Sequence, residues 1–408
     1  MPMKSSFIEL PEGEIHCLTF GIGPELLIAL HGFSDALLAQ IDDPDVARMA
    51  SRQPIGSIDL ISDNTLVALF GLLGGVALGL AARLGRFCTM GAIEDLLYGG
   101  SSLRMRMWAL AIGVAIAGTS ALTALGWLAP EQSFYLAIRW MPHASILGGL
   151  MFGYGMALSG NCGYGSIARL GGGDLRAFVI VLVMGVSAYV VLSGPLAGLR
   201  VWAFPQADVI TSTPPGLTFA LSALTGLAPG TIGLGIGLAV IAGALASRGF
   251  LAKPRMIFWG AVVGLAVVSG WAGSYYVAST GFDPVPVASH SFAAPVGETL
   301  LYAMTGSARA PSFAVGSILG VAFGAFVGSL IKGHFRWEAC EDPRELRRQI
   351  LGAALMGAGA VIAMGCTVGQ GISAFSLLSY SAPVTFAAIF AGAAFGLRQL
   401  IEGFQPAE

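Results

Sequence analysis

From about residue 65 to the end of the chain, apolar runs of roughly 20 residues recur, separated by short polar stretches. Each run is long enough to cross a hydrocarbon core about 30 Å thick as a helix. The pattern predicts nine full spans, at 65–85, 107–128, 144–160, 177–198, 231–247, 256–277, 312–331, 349–364 and 382–397. Shorter apolar stretches follow Cys88, Cys162 and Cys366. None of them could cross the bilayer alone, so each predicts a half-helix or re-entrant segment. A transmembrane barrel would need alternating polar and apolar positions, and the continuous runs exclude it. The fold class expected is an all-α polytopic membrane protein.

Composition agrees. Of 408 residues, 55% are hydrophobic and only 11% charged, against roughly 25% charged in soluble proteins. The 58 glycines point to helices packed backbone to backbone, as small residues allow in lipid. The five cysteines, Cys17, Cys88, Cys162, Cys340 and Cys366, show neither C-x-x-C nor zinc spacing. They read as thiols rather than a disulfide framework, and no metal or cofactor is implied. A net charge of -2 selects no partner, and nothing suggests nucleic acid. No phosphate-binding loop of the G-x-x-x-x-G-K-[ST] type is present, so ATP-driven pumping is not expected.

Loop charge predicts orientation. Odd-numbered loops carry the bases, among them Arg83, Arg86, Arg104, Arg106, Arg169, Arg176, Arg248, Lys253, Arg255, Lys332 and Arg336. Even-numbered loops are poor in them. The odd loops and the carboxyl terminus are therefore expected in the cytoplasm, with the amino end outside. Loops 199–230 and 279–311 read as outer caps without identifiable chemistry.

Four regions follow: residues 1–62 as an amino-terminal extension, 63–200 as a first membrane repeat, 201–230 as an outer loop, and 231–402 as the segment holding a second repeat. The extension carries ten acids through Asp63 against three bases. Its stretch GIGPELLIALHGFSDA resembles the opening strand and turn of an α/β-hydrolase, but no G-x-S-x-G elbow exists in the chain.

The repeat is visible without gaps. Residues 146–165 laid over 350–369 match at seven of twenty positions: Ile146/Ile350, Leu147/Leu351, Gly148/Gly352, Gly153/Gly357, Gly155/Gly359, Cys162/Cys366 and Gly165/Gly369. The first copy is the third span and the second is the eighth. Opposite parity makes them inverted-topology repeats, an architecture that places binding sites near the midplane at interrupted helices.

Each of these cysteines stands among glycines, where one helix stops and a short one starts. A thiol there could be a small apolar filler. Alternatively, the free N–H groups and positive dipole end of the short helix favour an anion, and the thiol adds a soft, polarisable donor. Residues 140–168 and 349–397 contain no Asp, Glu, Lys or Arg, so a path through them would use neutral groups. The candidates are Cys88, Cys162 and Cys366 with Asn161, Gly163, Gly165, Ser166, Gly365, Thr367, Gly369 and Gln370. Such a lining holds an anion weakly enough to release it.

The segments RFCTMGAIEDLL, SGNCGYGSIARLGGG and MGCTVGQGISAFSLLS resemble the signature segments of the YeeE/YedE family of bacterial inner-membrane sulfur transporters. The resemblance implies an hourglass-shaped protein of the inner membrane that takes up thiosulfate or a related sulfur anion along its cysteines. It carries functional roles to Cys88, Cys162 and Cys366, implies a TusA-like sulfur carrier as a partner, and gives no role to Cys17 or Cys340. Two other readings remain open on the residues alone: a channel for another small solute, and a thiol-based membrane sulfurtransferase. No general base is evident near the thiols, so a non-enzymatic role is expected.

Overall fold

The structure, a computed structural model, describes residues 4–10, 13–19, 62–205, 214–339 and 342–403. The chain divides into two units, 1–60 and 61–408. In the first, β1 (Lys4–Leu10) and β2 (Gly13–Thr19) form an antiparallel hairpin, with Lys4 opposite Thr19 and Leu10 opposite Gly13. The periodicity did not anticipate this hairpin. The hydrolase-like stretch and Cys340 lie outside the described residues.

The second unit is helical. Its main elements are α1 (Asp63–Leu84), α2 (Thr89–Leu97), α3 (Leu103–Ala124), α4 (Pro142–Ser159), α5 (Gly163–Gly171) and α6 (Leu175–Leu192). They continue with α7 (Pro229–Leu245), α8 (Pro254–Thr280), α9 (Ala294–Thr305), α10 (Phe313–Ile331) and α11 (Pro343–Ile362). A π-helical turn (Gly369–Ala374) and α12 (Ser381–Glu402) complete the set, and short helices such as Leu217–Thr225 lie in the connections.

Every predicted span coincides with one long helix, its ends shifted by a few residues. The larger shifts have local causes. Helix α11 starts early because Asp342 caps it and Pro343 suits its first turn. Helix α6 stops early, before Pro195. Among the described residues, six stretches are long and apolar enough to cross a membrane, and a seventh arises if Leu217–Thr225 and α7, bent by 117°, count as one. Helices α4 and α11 fall short by that measure. Pro142, His143 and several glycines dilute α4, and Arg344, Glu345, Arg347 and Arg348 open α11.

Glycine contacts fix how the long helices run. Gly71, Gly75 and Gly79 of α1 meet successively later residues of α10, so this pair is parallel. Helix α4 runs parallel to α12 and antiparallel to α11, while α3 runs parallel to α8 and antiparallel to α7. Each of these pairs fits strict alternation along nine helices.

The α4–α11 crossing is reciprocal. A Cβ on Gly148 would sit 2.7 Å from the Gly359 carbonyl oxygen, and one on Gly359 would sit 2.7 Å from that of Gly148. Gly155 and Gly352 repeat the relation at 2.5 and 2.6 Å. Gly148 aligns with Gly352, and Gly155 with Gly359, in the repeat. The two copies therefore meet as an approximate two-fold pair would, each residue finding its counterpart's partner. The flanking contacts follow suit, because α4 packs on α12 where α11 packs on α6.

Candidate functional site

Three times the chain leaves a long helix by the same device. Arg86 (φ 58°), Gly160 (φ 73°) and Met364 (φ 57°) adopt left-handed backbone, and each is followed two residues later by a cysteine. That cysteine caps the short element that follows. The Cys88 sulfur accepts from the Gly91 N–H at 3.5 Å, Cys162 from Gly165 at 3.4 Å, and Cys366 from Gly369 at 3.4 Å. A C-x-x-G spacing, present as CTMG, CGYG and CTVG, was the sequence signal for this unit. Left-handed backbone costs a non-glycine residue roughly 1–2 kcal/mol, so Arg86 and Met364 are held there by their surroundings.

Two cavities approach these thiols from opposite ends of α1 and α10. One, of about 420 Å³, is walled by aromatic and aliphatic groups including Tyr135, Tyr189, Trp271 and Phe313. It begins near Asn64 and Ser312 and ends at Ser291 and Gly365. The other, of about 330 Å³, lies at the far ends of the same helices and is lined by Cys88, Asn161 and Gly165 with Arg83, Arg169 and Lys332. Between them Cys162 and Cys366 are fully buried. This gives two vestibules separated by a dense neck.

The neck has a definite order. At the aromatic end, the Ser291 hydroxyl lies 3.7 Å from the Cys366 sulfur, and the Phe292 N–H donates to it at 3.2 Å. The Phe292 carbonyl lies so close to Gly163 that a Cβ there would be 2.7 Å away. Gly369 packs against Ser291 and the Tyr135 hydroxyl. Next comes Thr367, beside the Cys162 thiol. The Thr89 hydroxyl donates to Cys162 at 3.8 Å and is followed by Cys88, which opens to the basic vestibule. The rings of Phe87, Tyr164 and Phe292 pack along one side, with centroids 6.4 and 5.3 Å apart.

The predicted residues thus gather in one place, with different tasks. Asn161 Nδ2, at the wall of the basic vestibule, and Ser166 Oγ are buried without a hydrogen-bond partner, whereas Thr367 lies against the Cys162 thiol. Buried donors are almost always paired, so these two groups are free to meet a polar ligand. Gln370 is otherwise engaged. Its amide donates to the Ala363 and Met364 carbonyls at 2.9 and 3.2 Å, and its oxygen accepts from Ser381 at 3.1 Å. It braces the turn.

The loop 279–311, expected to carry no chemistry, is the main correction. It supplies Ser291 and Phe292 to Cys366 and forms α9. Residues 84–97 and 286–301 hold equivalent places, because Thr89 touches Cys162 as Ser291 touches Cys366. The second copy lacks a cysteine at this point, which is why the sequence hid it.

A polytopic helical membrane protein with a thiol-bearing neck between two vestibules is the class this geometry defines. The chain belongs to the Sulphur transport family, whose model matches residues 84–395 and so includes all three C-x-x-G units. It is 26% identical over 329 residues to the thiosulfate transporter TsuA of Escherichia coli (strain K12), covering 76% of this chain and 88% of that protein. Against the thiosulfate transporter TsuA of Spirochaeta thermophila it is 25% identical over 328 residues, covering 78% and 94%.

Proposed function

We propose that this protein takes up thiosulfate or a closely related soft sulfur anion across the bacterial inner membrane, by way of Cys366, Cys162 and Cys88 in that order. The observation that carries the reading is the neck itself. Three backbone-held thiols lie between two vestibules, the unpaired buried groups of Asn161 and Ser166 belong to the same turn and short helix as Cys162, and no described residue in the neck is charged. Thiol hydrogens and helix N-termini can replace part of an anion's hydration. Neutral donors do so without trapping it, as passage requires.

In this reading all nine long helices cross the bilayer. The aromatic vestibule then opens outward and the basic one toward the cytoplasm, in line with the loop charges. A dianion moving inward works against a negative-inside potential, at about 5 kcal/mol per 100 mV for two charges. Removal of the anion inside would offset that cost, and a TusA-like sulfur carrier at the basic face would serve. Transport is preferred to sulfurtransferase chemistry because the thiols stand between two vestibules rather than in a single closed pocket.

Uptake of labelled thiosulfate into cells without other sulfur-uptake systems, with and without this protein, tests the proposal. Accumulation that depends on the protein supports it. Equal label in both strains, with the protein present in the membrane, overturns it.

A further inference from the structure

The neck handles its anion with neutral groups, yet one vestibule is crowded with cations. Arg83, Arg86, Arg104, Arg169 and Lys332 line the cavity of about 330 Å³. A second cavity, of about 530 Å³, adjoins it and adds Arg255. The two share Arg86, Arg104, Lys332 and His334, so they form one basin with six basic side chains besides the histidine. Among the described residues, only Arg104 of these six has an ion-pair partner, Asp95 at 3.1 Å. The nearby carboxylates Asp174 and Glu338 are held by Arg176, at 3.2 and 3.8 Å. Burial, and the charges of Arg255, Arg86 and Arg83, push the Lys332 ammonium below its usual range. The cations therefore repel one another, and the nearby carboxylates, Asp95 paired with Arg104 and Asp174 and Glu338 acting on Arg83 from further off, offset them only in part.

A passing dianion could balance two of these six charges. Cytoplasmic loop position accounts for the sign of these charges, and Arg83 and Lys332 also donate to main-chain carbonyls. That position does not account for their convergence on one basin far larger than one small oxyanion requires. Concentrated like charge on a concave surface gathers counter-ions, and guanidinium groups match the oxygens of phosphate and sulfate. Arg255 also stands apart from the path, lining only the cavity that Cys88 does not reach.

We propose that this basin is a binding site for polyvalent oxyanions of the phosphate and sulfate type, and that its occupation from the cytoplasm slows import. The slowing rests on the uptake reading above; the binding does not. An anion held across Arg86, Arg104 and Lys332 would sit over the exit from Cys88, and its charge would oppose the arrival of the next dianion. Import would then fall as cytoplasmic oxyanion rises.

Pyrophosphate is the probe. Calorimetry on the full chain in phosphatidylcholine nanodiscs should show saturable binding that weakens as salt is raised. Arg255→Gln should weaken it about fivefold and Arg86→Gln at least as much, with circular dichroism confirming folded protein. In liposomes loaded with pyrophosphate, sulfate or chloride at equal ionic strength, thiosulfate entry should be slowest with pyrophosphate. Arg255→Gln should relieve that slowing while leaving entry into chloride-loaded liposomes unchanged. Absence of binding, or binding indifferent to both substitutions, overturns the site. Loss of pyrophosphate binding in phosphatidylglycerol nanodiscs would assign the basin to lipid headgroups and overturn cytoplasmic control. Intact binding without any thiosulfate uptake would instead remove the transport reading and leave the site standing.

Discussion

The backbone N–H of Phe292 donates to the Cys366 sulfur at 3.2 Å, across 74 residues of sequence. A loop ahead of α9 thus closes over the thiol that ends the aromatic vestibule. Its neighbour Ser291 adds a hydroxyl 3.7 Å from the same sulfur. Ser291→Ala should leave folding intact and reduce sulfur-anion uptake by about fivefold, the equivalent of one lost hydrogen bond near 1 kcal/mol. Initial-rate uptake, normalised to membrane-inserted protein, reads this directly. A rate equal to that of the unaltered protein would remove Ser291 from the path.

The left-handed residue ahead of each cysteine gives a second expectation. Gly160 has φ 73° and open space where a Cβ would go. Gly160→Ala should therefore cost only the backbone preference, about 1–2 kcal/mol, seen as a lowered melting temperature of a still-folded protein. Met364 already bears that cost. Met364→Gly should keep the turn and uptake while relieving it, less whatever its half-buried side chain contributes. Thermal denaturation of both variants checks the pair, and a Gly160→Ala protein that fails to fold would mean that the turn tolerates far less.

These turns also show what the sequence could and could not disclose. The long helices were legible because apolar length is imposed by the bilayer, and each predicted span coincides with a helix, although six or seven of the described stretches are long and apolar enough to cross. The thiol-bearing half-helices were legible too, since glycine flanks and short apolar runs mark a break and restart. The hairpin at residues 4–19 was not, and neither was the role of residues 289–293. Their contribution is a backbone N–H and a serine hydroxyl, which loops commonly offer, and only the fold brings them to Cys366. Gln370 has a bracing part that the sequence did not show. A polar residue in an apolar run suggested a donor for substrate, and its amide also holds the end of α11. Left-handed backbone at Arg86 and Met364 has no residue signature, so the three-fold recurrence emerges only when φ is known.

Glycine pairing at the centre makes a third prediction. Gly155 and Gly359 each face the backbone of the opposing helix closely enough that a Cβ would lie 2.5 and 2.7 Å from a carbonyl oxygen. Neither carbonyl can yield without separating α4 from α11. Gly155→Leu and Gly359→Leu should abolish folded protein, seen as loss of a monodisperse peak on size exclusion. Because the contacts are reciprocal, the two variants should fail alike. Normal yield and stability in either would contradict the close crossing.

Alternation of nine helices predicts sidedness. Carboxyl-terminal reporter fusions truncated after Leu251 and after Ala308 should give opposite signals, cytoplasmic and external respectively. The second point lies beyond α9, clear of the neck. Identical signals at both positions would break the alternation on which the placement of the two vestibules depends.

The thiols carry the last expectation. If Cys162 and Cys366 merely fill space, replacing either by alanine costs a small cavity and little else. If they solvate an anion in transit, alanine removes a donor where the neck offers few others besides the unpartnered Ser166 hydroxyl. A loss of roughly 1–3 kcal/mol at that point corresponds to about 5- to 150-fold in rate. Alanine at Cys88, Cys162 or Cys366 should lower uptake within that range while protein levels hold. Serine should rescue only in part, because it keeps the donor and loses the soft sulfur. The N-cap bond from Gly91, Gly165 or Gly369 survives in the serine variants, since a hydroxyl also caps well, so incomplete rescue cannot be blamed on a frayed helix. Cys17→Ala should transport normally. Wild-type uptake by a Cys162→Ala/Cys366→Ala double variant would show that the glycine turns alone account for the motif.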